Sequence, residues 1–195
     1  VDLLAAFEPI GVVFGFLYVV LVIRQSLWCW PVGLLSAAAY VVVFLQARLY
    51  GQMALQGVYI ALMVYGWREW RQGGGGGGLE VSRTPGRWQL GLALAGAVLT
   101  MALGLLEQRA EAARPFWDAG TTAFSLLAQF MTTRKWIESW LVWIAVDVGI
   151  AALAASQGLR WTAALYGAYL VLAVLGLLEW RRSTQVGPKA ASEEA

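Results

Sequence analysis

Four side chains, Trp136, Trp140, Trp143 and Asp147, recur at i, i+4, i+7 and i+11 inside a largely apolar run. That spacing sets them on one face of a helix. Aromatic faces followed by an acid suit a flat cationic ring, through stacking and cation–π attraction. Two other assignments compete: Trp140 and Trp143 as anchors at a lipid–water interface, and Asp147 as the partner of another helix's hydroxyl. Upstream, Asp118, Thr122, Ser125 and Gln129 repeat the same spacing, and Gln56 and Tyr59 lie one turn apart in an earlier run. Asp118 is near a helix start and suits a cap. Gln129 reads as a ligand contact or as interhelical glue, and Gln56 as a ligand contact or its near neighbour. Glu138, beside Arg134 and Lys135, reads as structural.

These groups sit in a chain that water cannot solvate well. Of 195 residues, 59% are hydrophobic and 13% charged, and the mean hydropathy is +0.63. Soluble domains carry about 25% charged residues. Polar side chains at membrane depth are costly and usually face a bundle interior or a cavity. The net charge of +2, with arginines single or paired at segment ends, gives no footprint for nucleic acid. Histidine is absent, which excludes histidine metal sites and histidine proton relays. Cys29 is alone, so no disulfide forms within one chain. There is no nucleophile–base set, and the glycine run lacks the Lys-Ser/Thr of a phosphate loop. An enzyme, a metal and a cofactor are therefore not expected. No basic stretch with a short apolar core and cleavage site opens the chain, so the first helix is expected to be retained.

A bilayer-crossing helix needs roughly 20 mostly apolar residues. Uncharged runs predict seven: Leu3 to Ile23, the stretch between Arg24 and Arg48, Leu49 to Trp67, Trp88 to Leu106, Phe116 to Thr133, Ile137 to Ser156, and Trp161 to Leu178. Gly73 to Gly78, followed by Glu80, Arg83 and Pro85, reads as a flexible linker or as a stretch foreign to the natural chain. Arg48, Arg109, Arg114 and Arg160 fall on one side of the membrane, and the ten remaining basic residues on the other. Positive loops stay cytoplasmic, which predicts an outside N-terminus and a cytoplasmic C-terminus.

A shift of 110 residues superposes the two halves without a gap. Ala54, Leu55, Gly57, Tyr59, Leu62, Val64, Gly66, Glu69, Trp70 and Arg71 recur as Ala164, Leu165, Gly167, Tyr169, Leu172, Val174, Gly176, Glu179, Trp180 and Arg181. Arg24, Trp30 and Val32 likewise match Arg134, Trp140 and Val142. Gly11, Gly15, Gly57, Gly66, Gly167 and Gly176 read as close-packing positions. Two units of three helices share an orientation only if an odd number of crossings separates them, and the fourth helix supplies it. The predicted fold is all-α and membrane-integral: seven transmembrane helices, two parallel three-helix repeats joined by one linker helix. Residues 1–71 form the first repeat, 72–112 the linker and fourth helix, 113–182 the second repeat, and 183–195 a disordered tail. Parallel repeats of this kind are a transporter design, with the substrate near the midplane. Few intramembrane acids and no histidine favour uniport over ion coupling.

Three motifs carry a family resemblance: Leu55-Gln56-x-x-Tyr59 with Tyr65-Gly66-Trp67; Pro115-Phe116-Trp117-Asp118; and Met131-Thr-Thr-Arg134-Lys135-Trp136-x-Glu138-x-Trp140-x-x-Trp143. Over about Gln25 to Arg71 and Arg114 to Arg181 the chain resembles the PnuC vitamin transporters. The resemblance implies a three-plus-one-plus-three fold similar to the SWEET sugar carriers. It also implies facilitated diffusion of nicotinamide riboside by alternating access, with an intracellular kinase trapping the vitamin. Gln56, Tyr59, Trp140 and Trp143 are then expected to contact substrate, with Asp147, Gln129, Ser36 and Ser139 nearby. Ser36, Ser139 and Asp147 stand where riboside-type members carry Asn. An amide both donates and accepts, whereas an ionised aspartate only accepts. Thiamine, another flat cation carried by a related subgroup, is the rival substrate. A receptor or scaffold that binds without transport is the rival class. The expected location is the bacterial inner membrane, with vitamin and lipid as partners; homo-oligomers also fit the family.

Overall fold

The computed structural model describes residues 3–73, 78–111 and 114–186. Among them the chain forms seven helices: α1 (Leu3–Ile23), α2 (Cys29–Gln46), α3 (Tyr50–Gln72), α4 (Gly86–Arg109), α5 (Pro115–Thr133), α6 (Ser139–Ser156) and α7 (Arg160–Val186). The described residues hold no strand, only one isolated parallel bridge between Ser82 and Trp136. The fold is that of an all-α integral membrane protein. Helix α7 continues past Ser183 to Val186; the rest of the expected tail, and the middle of the glycine run, lie outside the described residues.

Cys29–Gln46, Gly86–Arg109, Ser139–Ser156 and Arg160–Gln185 are each apolar and long enough to cross a bilayer. Helix α5 is less apolar because it carries Ser125, Gln129, Thr132 and Thr133, all of them buried. Its polar face is turned into the bundle, as the cost of polar groups in lipid requires. Helix α4 does the reverse. Leu90, Leu94, Val98 and Met101 stand exposed along one face, the surface that lipid must cover.

The chain divides into two compact units, Val1–Glu80 with α1–α3 and Val81–Ala195 with α4–α7. In the first, α2 packs on α1 and α3; in the second, α5 packs on α4 and α6, and α6 on α7. Each unit repeats the other's internal construction. Trp30 on α2 lies against Gly66 of α3, where any Cβ would run into its ring, and Trp140 on α6 lies the same way against Gly176 of α7. Trp30 meets Trp70 edge-on, with ring centroids 5.0 Å apart at 84°, and Trp140 meets Trp180 at 5.4 Å and 87°. Close approach of this kind requires glycine, because the ring occupies the place of a side chain.

The turns match too. Gln25 and Lys135 end α1 and α5 with φ of 53° and 50°, and Arg48 and Gly158 end α2 and α6 with φ of 58° and 74°. Each is followed by a six-to-one backbone bond, such as Leu49 N to Phe44 O at 2.8 Å and Leu159 N to Ala154 O at 2.9 Å. This is the Schellman termination, and three of the four use a side-chain-bearing residue where glycine costs least.

Two expectations need correction. Gly11, Gly66 and Gly176 are close-packed, but an added Cβ at Gly57 or Gly167 meets nothing within 4 Å; these two open onto space rather than a neighbouring helix. Trp136 is not on the α6 stripe. The left-handed turn at Lys135 breaks the helix, α6 starts only at Ser139, and Trp136 lies in the connecting turn.

Candidate functional site

Helices α5 and α6 run antiparallel across the short turn Arg134–Glu138, which brings the polar end of α5 beside the start of α6. Pro115 in the first turn of α5 fixes the backbone for helix entry. At the other end, Thr132 Oγ1 donates to Ala128 O at 2.8 Å and accepts from Trp143 Nε1 at 3.3 Å. The half-buried indole of Trp143 is thereby held against α5. One turn deeper in each helix stand Gln129 on α5 and Asp147 on α6, both buried. The antiparallel register places them at the same depth. An aromatic ring, an amide and a carboxylate are thus stepped along the α5–α6 seam. Ser125 is spent locally, donating to Thr121 O at 2.7 Å.

Trp140 has a different situation from Trp143. It is 3% exposed, wedged between Gly176 and Trp180, and it repeats the packing of Trp30. The counterpart of Trp143 in the first unit is Gly33, where an added Cβ would meet Tyr18 and Met63. The scaffold common to both units therefore accounts for Trp140 and leaves Trp143 as an addition of the second. Ser139 Oγ and Trp140 Nε1 are buried and without a hydrogen-bond partner, and so is Trp30 Nε1. Such groups are rare in packed interiors. Because both repeat-related indoles share the feature, it belongs to the packing lock.

In the first unit, Ser36 donates to Gly11 O at 2.8 Å, tying α2 to α1. Gln56 and Tyr59 lie half-buried on α3. Ser36, Gln56 and Tyr59 thus belong to the first unit, and Gln129, Ser139, Trp140, Trp143 and Asp147 to the second. Asp118 is exposed in the first turn of α5, and the N-cap position there is taken by Arg114, which makes no side-chain cap bond. Glu138 is structural, as expected, but through a partner that sequence reading missed: it accepts from both N and Oγ1 of Thr84, at 2.7 and 2.8 Å. Thr132 was also missed as the anchor of Trp143, although it lies within the Met131–Trp143 motif. A separate cavity of about 380 Å³ lies within the second unit, bordered by Gln89 and Leu92 of α4, Leu127 and Met131 of α5, and Glu138 and Val142. None of the eight expected site residues lines it.

The nicotinamide mononucleotide transporter family model matches residues 5–182. The chain is 28% identical to the riboflavin/roseoflavin transporter RibM of Streptomyces davaonensis, over 89% of this chain and 83% of that one. It is 24% identical to the nicotinamide riboside transporter PnuC of Escherichia coli, over 91% of this chain and 86% of that one. A crystal structure of the vitamin B3 transporter PnuC has the same fold, with a TM-score of 0.72 at 24% identity, covering 93% of this chain and 83% of that one.

Proposed function

The chain belongs to the nicotinamide mononucleotide transporter family, and from that premise we propose that this multi-pass membrane transporter carries nicotinamide riboside by facilitated diffusion. The observation that carries the choice is the α5–α6 seam, where Trp143 is held by Thr132 and the buried Asp147 stands a turn deeper, at the depth of the buried Gln129. A flat pyridinium ring has its two needs met there: a π-face to stack on and a carboxylate to offset its charge. A buried acid within a membrane helix is costly and is a marker of function. In the first unit, Gln56 and Tyr59 supply polar groups suited to an amide or ribose. With Asp147 the one buried acid among the described residues and no histidine in the chain, the cycle runs as uniport by alternating access. The charge distribution supports an outside N-terminus and a cytoplasmic C-terminus, and a bacterial inner membrane is the proposed location.

Riboflavin is a second reading, favoured by the 28% identity to RibM. Its ring is flat but neutral, so it makes use of Trp143 and has no need of Asp147. Purified protein in liposomes decides between them. Saturable uptake of labelled nicotinamide riboside, insensitive to collapse of proton and sodium gradients and lost in Trp143→Ala, is the expected result. Uptake of riboflavin or thiamine with none of the riboside overturns the substrate assignment; binding without flux overturns transport.

A further inference from the structure

The two connecting turns that the repeat makes equivalent are treated differently. In the first unit, Leu27 and Trp28 of the α1–α2 turn are 43% and 72% exposed. Their counterparts after α5 are Ile137, 8% exposed, and the half-buried Glu138. Burial in the second unit comes from the extended segment that leads into α4. Ser82 N donates to Lys135 O at 3.0 Å, and Ile137 N donates to Ser82 O at 2.9 Å. Pro85 keeps Thr84 extended, and Thr84, itself 4% exposed, donates both its N–H and its hydroxyl to one oxygen of Glu138. Gln89 of α4 closes the junction by donating to Thr84 O at 3.2 Å. Trp88 of α4 and Trp136 of the turn also meet, their rings tilted by 48° with centroids 5.8 Å apart.

Glu138 occupies the N-cap position of α6 with φ −66° and ψ −14°, yet makes no cap bond to its own helix. Trp28 has the same backbone angles at the start of α2. The backbone at this corner therefore does not need Glu138, and one oxygen of its carboxylate holds the segment before α4. Charge-assisted bonds of this kind are stronger than neutral ones. What they fix is the first turn of α6, and one turn further along that helix is Trp143.

We infer that Glu138 is a positioning residue for transport: through Thr84 it straps the lead-in of α4 to the α5–α6 corner, and so sets the placement of Trp143 at the substrate seam. The assignment rests on the carrier reading above for its consequence, and on the strap alone for its geometry. Two measurements separate these. Trypsin cuts after Arg83 only when the strap is open, at a rate that follows the open population. Cleavage at Arg83 is expected to accelerate about tenfold in Glu138→Leu and clearly less in Glu138→Gln, whose amide oxygen still accepts both bonds but without the charge. In liposomes, Glu138→Leu is expected to raise the half-saturating vitamin concentration several-fold with little change in maximal flux per folded transporter. Thr84→Ser alone is expected to keep the wild-type value, and Glu138→Gln alone to fall between wild type and Glu138→Leu. Adding Thr84→Val to Glu138→Leu is expected to add nothing further.

Equal cleavage of Glu138→Leu and wild type overturns the strap whatever the protein carries. Faster cleavage with an unchanged half-saturating concentration, or a fall in maximal flux alone, overturns the positioning role. A wild-type protein that carries no vitamin fails the carrier reading, and the strap is then decided by trypsin alone.

Discussion

Gly176→Ala tests the packing lock directly. A Cβ built on Gly176 lies 2.5 Å from Trp140 Cζ2 and 2.6 Å from both Cε2 and Cη2, whereas carbon atoms rest about 3.5–4.0 Å apart. The ring must therefore retreat by about 1 Å. It cannot do so freely, because Trp180 stands edge-on to it and both rings are buried. Overpacking of a tight core costs about 1–3 kcal/mol, and three ring atoms in collision put this site near the upper end. Replacing glycine by alanine within a helix returns about 1 kcal/mol. The net loss is then about 2 kcal/mol, or a fall in Tm of about 4–8 °C for a chain of this size. The assay is thermal unfolding of detergent-purified protein, followed by the monodisperse fraction on size exclusion. Gly167→Ala, on the same helix with nothing within 4 Å of the new Cβ, is the control and is expected to be neutral or slightly stabilising. Equal melting temperatures for the two variants would refute the reasoning.

The repeat makes a companion prediction: Gly66→Ala lowers Tm as Gly176→Ala does, since Trp30 crowds it in the same way, while Gly57→Ala does not. Thr132→Val removes the acceptor of Trp143 Nε1 and is expected to raise the half-saturating riboside concentration about threefold to tenfold in liposome uptake. Asp147→Asn keeps the size and removes the charge. It is expected to weaken uptake of a cationic vitamin roughly fivefold to tenfold and to leave riboflavin unaffected, so competition between the two vitamins reads the effect out. Ser36→Ala loses the bond to Gly11 O and is expected to cost about 1 kcal/mol in thermal stability, with transport by the folded fraction unchanged.

The seven helices were legible because lipid demands long apolar runs. The repeat was legible because its marks, Trp30 and Trp140, Gly66 and Gly176, Trp70 and Trp180, are residues that packing does not readily exchange. What sequence did not disclose was non-local or conformational. Nothing in Arg134-Lys135-Trp136 signals a left-handed residue, since glycine is missing there, so Trp136 was placed on a helix face that it does not share. Thr84 and Glu138 are 54 positions apart, and no periodicity links a pre-helical threonine to a turn glutamate. Gly57 and Gly167 resemble Gly66 and Gly176 in sequence but face open space, because a glycine's letter carries no information about its neighbour. At the seam the residue types were visible in advance: Gln129, Trp143 and Asp147 share faces by spacing alone. The anchoring of Trp143 by Thr132, and the packing duty of Trp140, needed three dimensions.

The twofold use of one tryptophan wedge bears on how such a chain is made. Trp30, Gly66 and Trp70 all belong to the first unit, within which α2 packs on α1 and α3, its neighbours in sequence. Once α3 has entered the membrane, everything that closes that wedge is in place. Native contacts between near neighbours close quickly because little chain entropy is lost. The first three helices can thus mature while the last three are still being translated, and the second wedge forms later on the same plan. Biogenesis then proceeds in two similar instalments rather than one long search.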